Sequence, residues 1–309
     1  MTVEWSEIAA PRAARLLAGA VRLPLEQSWP YTQAMSAETG AAIRYLALGE
    51  RAVAAVVARR WWGLWPVREC LRGPVWLDPP PDEAVRAAAT LDVLRAAFGR
   101  SVFGLSFWTP DAADAGRAAH VARMAGMRRV FTGHATSCVP VLADERRQRA
   151  RLDGKWRNAL VAGESRARLR VRTTREPRAV LEILDRYDAL RRARRFAGPH
   201  GALLRGAAAL SGRDRHFAVI AERGAGAEAG ALVLCHGNEA TWVAGFAAPF
   251  ARAEAGHRRV LLAILAELRR MGIATLDLGG LDTRAAPGIA RFKLGLGGTV
   301  TVLPGTWGR

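Results

Sequence analysis

Two stretches of the 309-residue chain place strand-like and helical patterns in the same order, and this repeated order limits the available folds more than any single motif does. In the first, β-branched runs at Ala42 to Leu48 and Ala52 to Arg60 flank Gly49-Glu50-Arg51, a hairpin signal. Prolines 79 to 81 stop the chain, Asp82 supplies a cap, and Val85, Leu91, Leu94 and Phe98 mark a predicted helix from Glu83 to Phe98. A strand-like run, Val102 to Trp108, a helix closed by Gly126 and extended residues up to Val141 follow. In the second stretch, strand-like runs at His216 to Glu222, Ala231 to His236 and Thr241 to Phe246 lead into a helix, His257 to Met271, with Leu261, Ile264, Leu265 and Leu268 on one face. Ile273 to Gly280 then forms a predicted strand. The halves share element order without aligning residue by residue, so two mixed α+β domains are expected, 1–144 and 145–309. Between strands and helices, prolines 24 and 30 bracket a segment, Leu23 to Tyr31, expected to form no long regular element.

Charge is the strongest compositional signal. The chain carries 46 basic and 28 acidic residues, a formal net charge of +18, which draws polyanions and anionic surfaces. All but two of the cations are arginine; base composition explains arginine in place of lysine, but not the excess of bases over acids. Residues 146–178 hold twelve bases against three acids, half of the whole excess. Within them Arg168, Arg170 and Arg172 alternate with Leu169 and Val171, so a strand gathers the three arginines on one face, which either meets a polyanion or is simply solvated. Trp61, Trp62, Trp65 and Trp76 lie among further arginines and either stack bases or line a core or acceptor groove. No apolar run reaches the ~18 residues that span a bilayer, and Met1 to Leu17 carries Glu4 and Glu7 in place of a signal core, so a cytoplasmic location is expected, with peripheral membrane association left open by the charge. Cys70, Cys138 and Cys235 lack the spacing of a disulfide framework or zinc site, and no metal is expected.

Four segments carry a resemblance. They are Leu25 to Tyr31 (LEQSWPY), Arg72-Gly73-Pro74-Val75, Lys155-Trp156-Arg157-Asn158, and Asp277-Leu278-Gly279-Gly280 followed by Gly288 to Lys293 and the glycines 295, 297 and 298. At these positions, which together span nearly the whole chain, the sequence resembles the FemABX family, aminoacyl-tRNA-dependent transferases that add amino acids to peptidoglycan precursors and are built from two GNAT-like domains. The resemblance implies tandem GNAT-like domains, an N-terminal acceptor side and a basic entry into the second domain. It also implies an aminoacyl-tRNA co-substrate with no bound cofactor, and as acceptor an amine on a peptidoglycan precursor or another small or lipid-linked molecule.

Lys293, one of two lysines, is the candidate for holding the oxyanion of the tetrahedral intermediate, the role implied by the matching family lysine. Gly279, Gly280 and Gly288 leave the backbone open to the donor's ester and terminal adenosine, Arg291 suits a phosphate, and Phe292 belongs to the same substrate-binding motif. Asp277 and Asp282 are either proton acceptors or turn caps. Gln27, Trp29 and Tyr31 are expected at the acceptor, and Lys155, Arg157, Arg168, Arg170 and Arg172 at the tRNA. Two other readings use the same fold. An acyl-CoA-dependent N-acyltransferase needs a glycine-rich pyrophosphate loop before the central helix; the corresponding segments, Phe250 to His257 and residues 79–82, supply Gly256 and three prolines. A basic RNA-binding scaffold needs no catalytic lysine at all.

Overall fold

The computed structural model describes residues 4–79, 82–99, 104–196 and 198–309, without the side chain of Ala113. The chain divides into two compact units, residues 1–135 with 301–309, and residues 136–300.

In the first unit the order is β1 (Trp5–Ile8), α1 (Ala10–Ala18), α2 (Trp29–Thr39), β2 (Ala42–Leu48), β3 (Ala52–Trp61), β4 (Trp65–Leu71), β5 (Val75–Trp76), α3 (Glu83–Phe98), β6 (Leu105–Thr109), α4 (Ala115–Met124) and β7 (Arg128–Phe131). Strands β2 and β3 form the expected hairpin, β4 extends it to a meander, and β4 then runs parallel to β6 from Val67 opposite Leu105 to Leu71 opposite Thr109. The strand predicted at Val102 to Trp108 is described from Leu105; its first two residues lie outside the described residues. Asp82 caps α3 as expected, its Oδ1 accepting from the amides of Ala84 at 2.7 Å and Val85 at 3.4 Å. Trp29 and Tyr31 are not in an irregular segment: they open α2, because proline is tolerated in a helix's first turn, where its missing N–H leaves no bond unmade.

The second unit contains β8 (Ala135–Pro140), α5 (Glu145–Ala150), α6 (Gly154–Arg166), β9 (Arg170–Thr174), α7 (Pro177–Arg194), α8 (Gly201–Leu210), β10 (His216–Arg223), β11 (Gly226–His236), β12 (Glu239–Ala247), α9 (Pro249–Ala253), α10 (Gly256–Arg270), β13 (Thr275–Leu281), α11 (Pro287–Leu294) and β14 (Thr299–Val302). Its sheet runs β14-β8-β13-β12-β11-β10-β9. Leu261, Ile264, Leu265 and Leu268 of α10 are fully buried against Phe217, Val219 and Val233 of the sheet. Burial of such a side chain stabilises by roughly 1.5–3 kcal/mol.

The last strand, β15 (Thr306–Gly308), belongs to the first unit, where it lies between β6 and β7. In the second sheet the corresponding place, between β13 and β14, is taken by β8, which follows β7 in the chain. The division therefore falls at residue 135, not 144, and the final nine residues leave the second half for the first. Hydrophobic patterning locates strands but does not say which sheet a short one joins, so the expected boundary was misplaced by one strand.

Candidate active site

In the second unit β12 and β13 are parallel from Glu239 opposite Thr275 to Thr241 opposite Asp277. Beyond that pair β12 stays with β11 to Ala247, while β13 continues to Leu281, so the two strands part. A bulge marks the same level: the β11 register shifts between Leu232 and Val233, which face Ala244 and Trp242. The Trp242 indole N–H then donates to Ala244 O at 2.7 Å, and a Cβ at Gly245 would stand 2.7 Å from that nitrogen.

The other wall is α11. Asp282 builds its entry, Oδ1 accepting from the amides of Arg284 at 2.9 Å and Ala285 at 2.7 Å, so this aspartate acts as a turn cap. Lys293 lies on α11, half-buried. Its Nζ donates to Gly280 O at 2.8 Å and lies 5.7 Å from the centre of the Trp242 ring. Desolvation brings the ammonium down to about 8, against the pull of the Asp277 carboxylate, which favours the charged form. Asp277 also shapes the backbone, accepting from the Gly279 amide at 2.7 Å where Gly279 turns at φ +73°. A side chain at 279 would be strained and would start 3.8 Å from Lys293 Nζ. At Gly280 and Gly288 a Cβ would meet nothing within 4 Å, so both border open space.

Around the lysine runs a chain of rings. Trp242 meets His257 edge-on at 5.1 Å, His257 stacks on Phe292 at 5.4 Å, and Phe292 tilts toward Trp156 at 6.0 Å. Phe292 is thus engaged by protein rings, which hold α11 in place. Burial and the nearby Arg252 and Arg258 hold the His257 imidazole down at about 4, so it is neutral at ordinary pH. Arg291 is exposed and forms no ion pair among the described residues. Sequence does not single out Trp156, Trp242 and His257: the first lies inside the Lys155 to Asn158 motif, and the other two have no pattern to mark them.

The basic run splits into bound and unbound cations. Arg172 bonds Glu222 at 2.7 Å and Arg168 reaches Glu254 at 3.5 Å, whereas exposed Lys155, Arg157 and Arg170 form no ion pair among the described residues. Arg168 also precedes β9 rather than lying within it. The start of α10 is crowded: a Cβ on Gly256 would lie 2.8 Å from Leu169 and 2.9 Å from Ala251, and buried Glu254 stands just before it, bonded by Arg166 at 2.8 Å.

In the first unit Gln27 is almost fully buried and its carboxamide is fully engaged. Nε2 donates to Leu71 O at 2.6 Å and Ala55 O at 3.2 Å, and Oε1 accepts from Ala55 N at 2.8 Å. It clamps β4 to β3 and has no group left for an acceptor; Trp29 packs on the core beside Tyr45, and Tyr31 is half-buried on α2. A concavity of this unit lies beyond the ends of β4 and β6, about 340 Å³ in volume and lined by Val21, Pro24, Val75, Trp76 and Leu77 together with Arg22, Arg72, Arg86, Asp111 and Asp114. Asp111 joins Arg22 at 2.8 Å and Arg72 at 2.9 Å. Burial pushes its carboxyl up, but the two guanidiniums outweigh burial and hold it below the usual carboxylate range.

No family model matches the sequence, and no curated protein matches it. Among solved structures, FemX superposes with a TM-score of 0.79 at 12% identity, over 99% of this chain and 96% of that one. The C-terminal domain of a putative lysylphosphatidylglycerol synthetase from Agrobacterium fabrum gives 0.60 at 14% identity, over 97% and 92%. A tandem GNAT protein from the clavulanic acid biosynthesis pathway gives 0.56 at 15% identity, over 99% and 98%. The repeated element order, the parting parallel strands in the second half and these superpositions agree: the chain has a FemX-like fold of two GNAT-type units in tandem.

Proposed function

We propose that the protein is an aminoacyltransferase that moves an amino acid from aminoacyl-tRNA to an amine of a peptidoglycan precursor or another small or lipid-linked acceptor. The observation that carries this reading is Lys293: a half-buried ammonium on a short helix, 2.8 Å from the Gly280 carbonyl and bordered by the open space at Gly280. In the reaction the acceptor amine's lone pair attacks the ester carbonyl carbon, a C–N bond forms, and the carbonyl π pair moves to oxygen. Lys293 faces that oxyanion. On collapse the C–O bond to the ribose breaks, and the ribose oxygen takes the proton that the amine nitrogen gives up. The ester is already activated, so alignment and charge stabilisation supply the catalysis.

Neither helix start that a CoA pyrophosphate would use is well suited to it, which supports tRNA over acyl-CoA. Asp82 takes the first amides of α3, and Gly256 is packed against Leu169 and Ala251 with the Glu254 carboxylate beside it. Lys155, Arg157 and Arg170 are the cations available to tRNA phosphates, and a tRNA co-substrate implies work in the cytoplasm. The chamber of the first unit is the candidate acceptor pocket. That a putative lysylphosphatidylglycerol synthetase domain shares the fold supports a lipid-linked acceptor among the candidates.

The test supplies labelled aminoacyl-tRNA and labelled acetyl-CoA separately, with a panel of amine acceptors. Label moving from aminoacyl-tRNA is the expected result. Label moving from acetyl-CoA alone overturns the reading.

A further inference from the structure

We infer that the β3–β4 hairpin is a membrane-docking element that seats the protein on an anionic lipid surface. Its tip reads Trp61-Trp62-Gly63-Leu64-Trp65, with Trp61 paired to Trp65 across the hairpin. Trp62 is 80% exposed, Leu64 75%, Trp61 54% and Trp65 50%. Four large apolar side chains in five residues at one tip form a concentrated patch, unlike the single exposed apolar residues common on any surface. The turn itself is held in an unusual conformation: Trp62 has φ +50° and Gly63 φ +71°, and the Leu64 amide donates to Trp61 O at 3.1 Å. A bulky residue rarely adopts that φ, and here it sets the outermost indole at the hairpin's end.

Charge complementarity selects the occupant. Arg59 and Arg60 precede Trp61 and are exposed; Arg60 forms no ion pair among the described residues, and the whole chain carries +18. Arg60 lies one residue before Trp61 at the end of β3, so its long side chain reaches the headgroup level when the tip indoles enter the interface. Tryptophan's apolar body and N–H favour that boundary, and leucine inserts just beyond it. A base-stacking platform fits less well. Trp61 and Trp62 already stack on one another at 5.2 Å, and Leu64, among the most exposed residues of the tip, offers no ring. The inference is independent of the donor and of the transfer chemistry.

The test is co-sedimentation of the full chain, without tRNA, with phosphatidylcholine vesicles and with vesicles containing a minority of phosphatidylglycerol. Binding to the anionic vesicles is expected, reduced about fivefold by Arg60→Gln, the value of one interfacial cation. The triple variant Trp62→Ser, Leu64→Ser, Trp65→Ser should lose at least about tenfold in partitioning. Its thermal midpoint and its transfer to a water-soluble acceptor should match the wild type; the single variant Trp62→Ser gives the same readout if the triple variant does not fold. Undiminished vesicle binding by either variant overturns the inference. So does a loss of poly(U) binding or of self-association with vesicle binding intact, which would assign the hairpin to RNA or to a second copy of the chain.

Discussion

The Trp156 indole N–H donates a 3.0 Å hydrogen bond to the carbonyl of Phe292, 136 residues later in the chain. Two of the segments that carry the family resemblance therefore meet at one bond, immediately before Lys293. The glycines that follow complete the fit: a Cβ at Gly295 would lie 2.4 Å from the Trp156 ring, and one at Gly297 would lie 2.2 Å from Arg151 O. They let the chain after α11 close onto Trp156 of α6 and onto Arg151 at the end of α5.

Trp156→Phe should keep most of the ring packing and lose the bond, destabilising by about 1 kcal/mol. Trp156→Ala should cost about 3–5 kcal/mol, as for other buried indoles. Urea denaturation gives both values. Because α11 carries Lys293, the phenylalanine variant should lower kcat more than it raises KM.

The pH profile should expose the state of Lys293. An oxyanion partner must be protonated, so kcat/KM should fall as pH rises through about 8, the value to which burial brings this ammonium. Lys293→Arg should remove that falling limb, and Asp277→Asn should move it to lower pH, since the carboxylate supports the charge. The stability linkage has the opposite sign. Between about 8 and the ordinary 10.5 the unfolded chain holds a proton on this lysine that the folded one has released, so Lys293 contributes a rise of stability with pH across this window, opposed above about 9 by the buried thiols of Cys70 and Cys235, which burial pushes up to about 12 and about 11. Denaturation midpoints of Lys293→Met should lack that rise.

Gln27 should prove structural. Gln27→Ala leaves the Ala55 amide and the Leu71 carbonyl buried without their partner, a loss of about 3 kcal/mol. At a temperature where the variant stays folded, its KM for acceptor should be unchanged, the reverse of what a substrate contact would give.

Binding to tRNA should weaken with salt, and the unpaired cations should carry the slope. Alanine at Lys155, Arg157 and Arg170 together should lower the log–log slope by about 2. Alanine at Arg168 and Arg172 should change it less, because those guanidiniums already face Glu254 and Glu222. Filter binding across a salt series measures both.

Much of this fold was legible because periodicity reports burial. The leucine face of α10 and the hairpin of β2 and β3 lie where the pattern put them, since each residue's face is fixed by local geometry. The exchanged strands β8 and β15 were not legible, because a strand of three to six residues says nothing of its partner sheet. At the candidate site Lys293 was visible as a rare residue in a glycine-rich motif, and the turn-capping alternative for Asp282 followed from residue type. Trp242 and His257 were invisible: a bulge re-aims the first and a tertiary stack holds the second, and neither leaves a spacing in the sequence. The bridging role of Gln27 is not legible, because sequence does not distinguish a carboxamide that meets substrate from one that bridges two strands.

The most direct measurement is the single-turnover rate of amino acid transfer from enzyme-bound aminoacyl-tRNA, compared between the wild type and Lys293→Met at equal tRNA occupancy. The account predicts a fall on the order of 10²-fold to 10³-fold, with Lys293→Arg retaining more activity than Lys293→Met. An unchanged rate for Lys293→Met would contradict it.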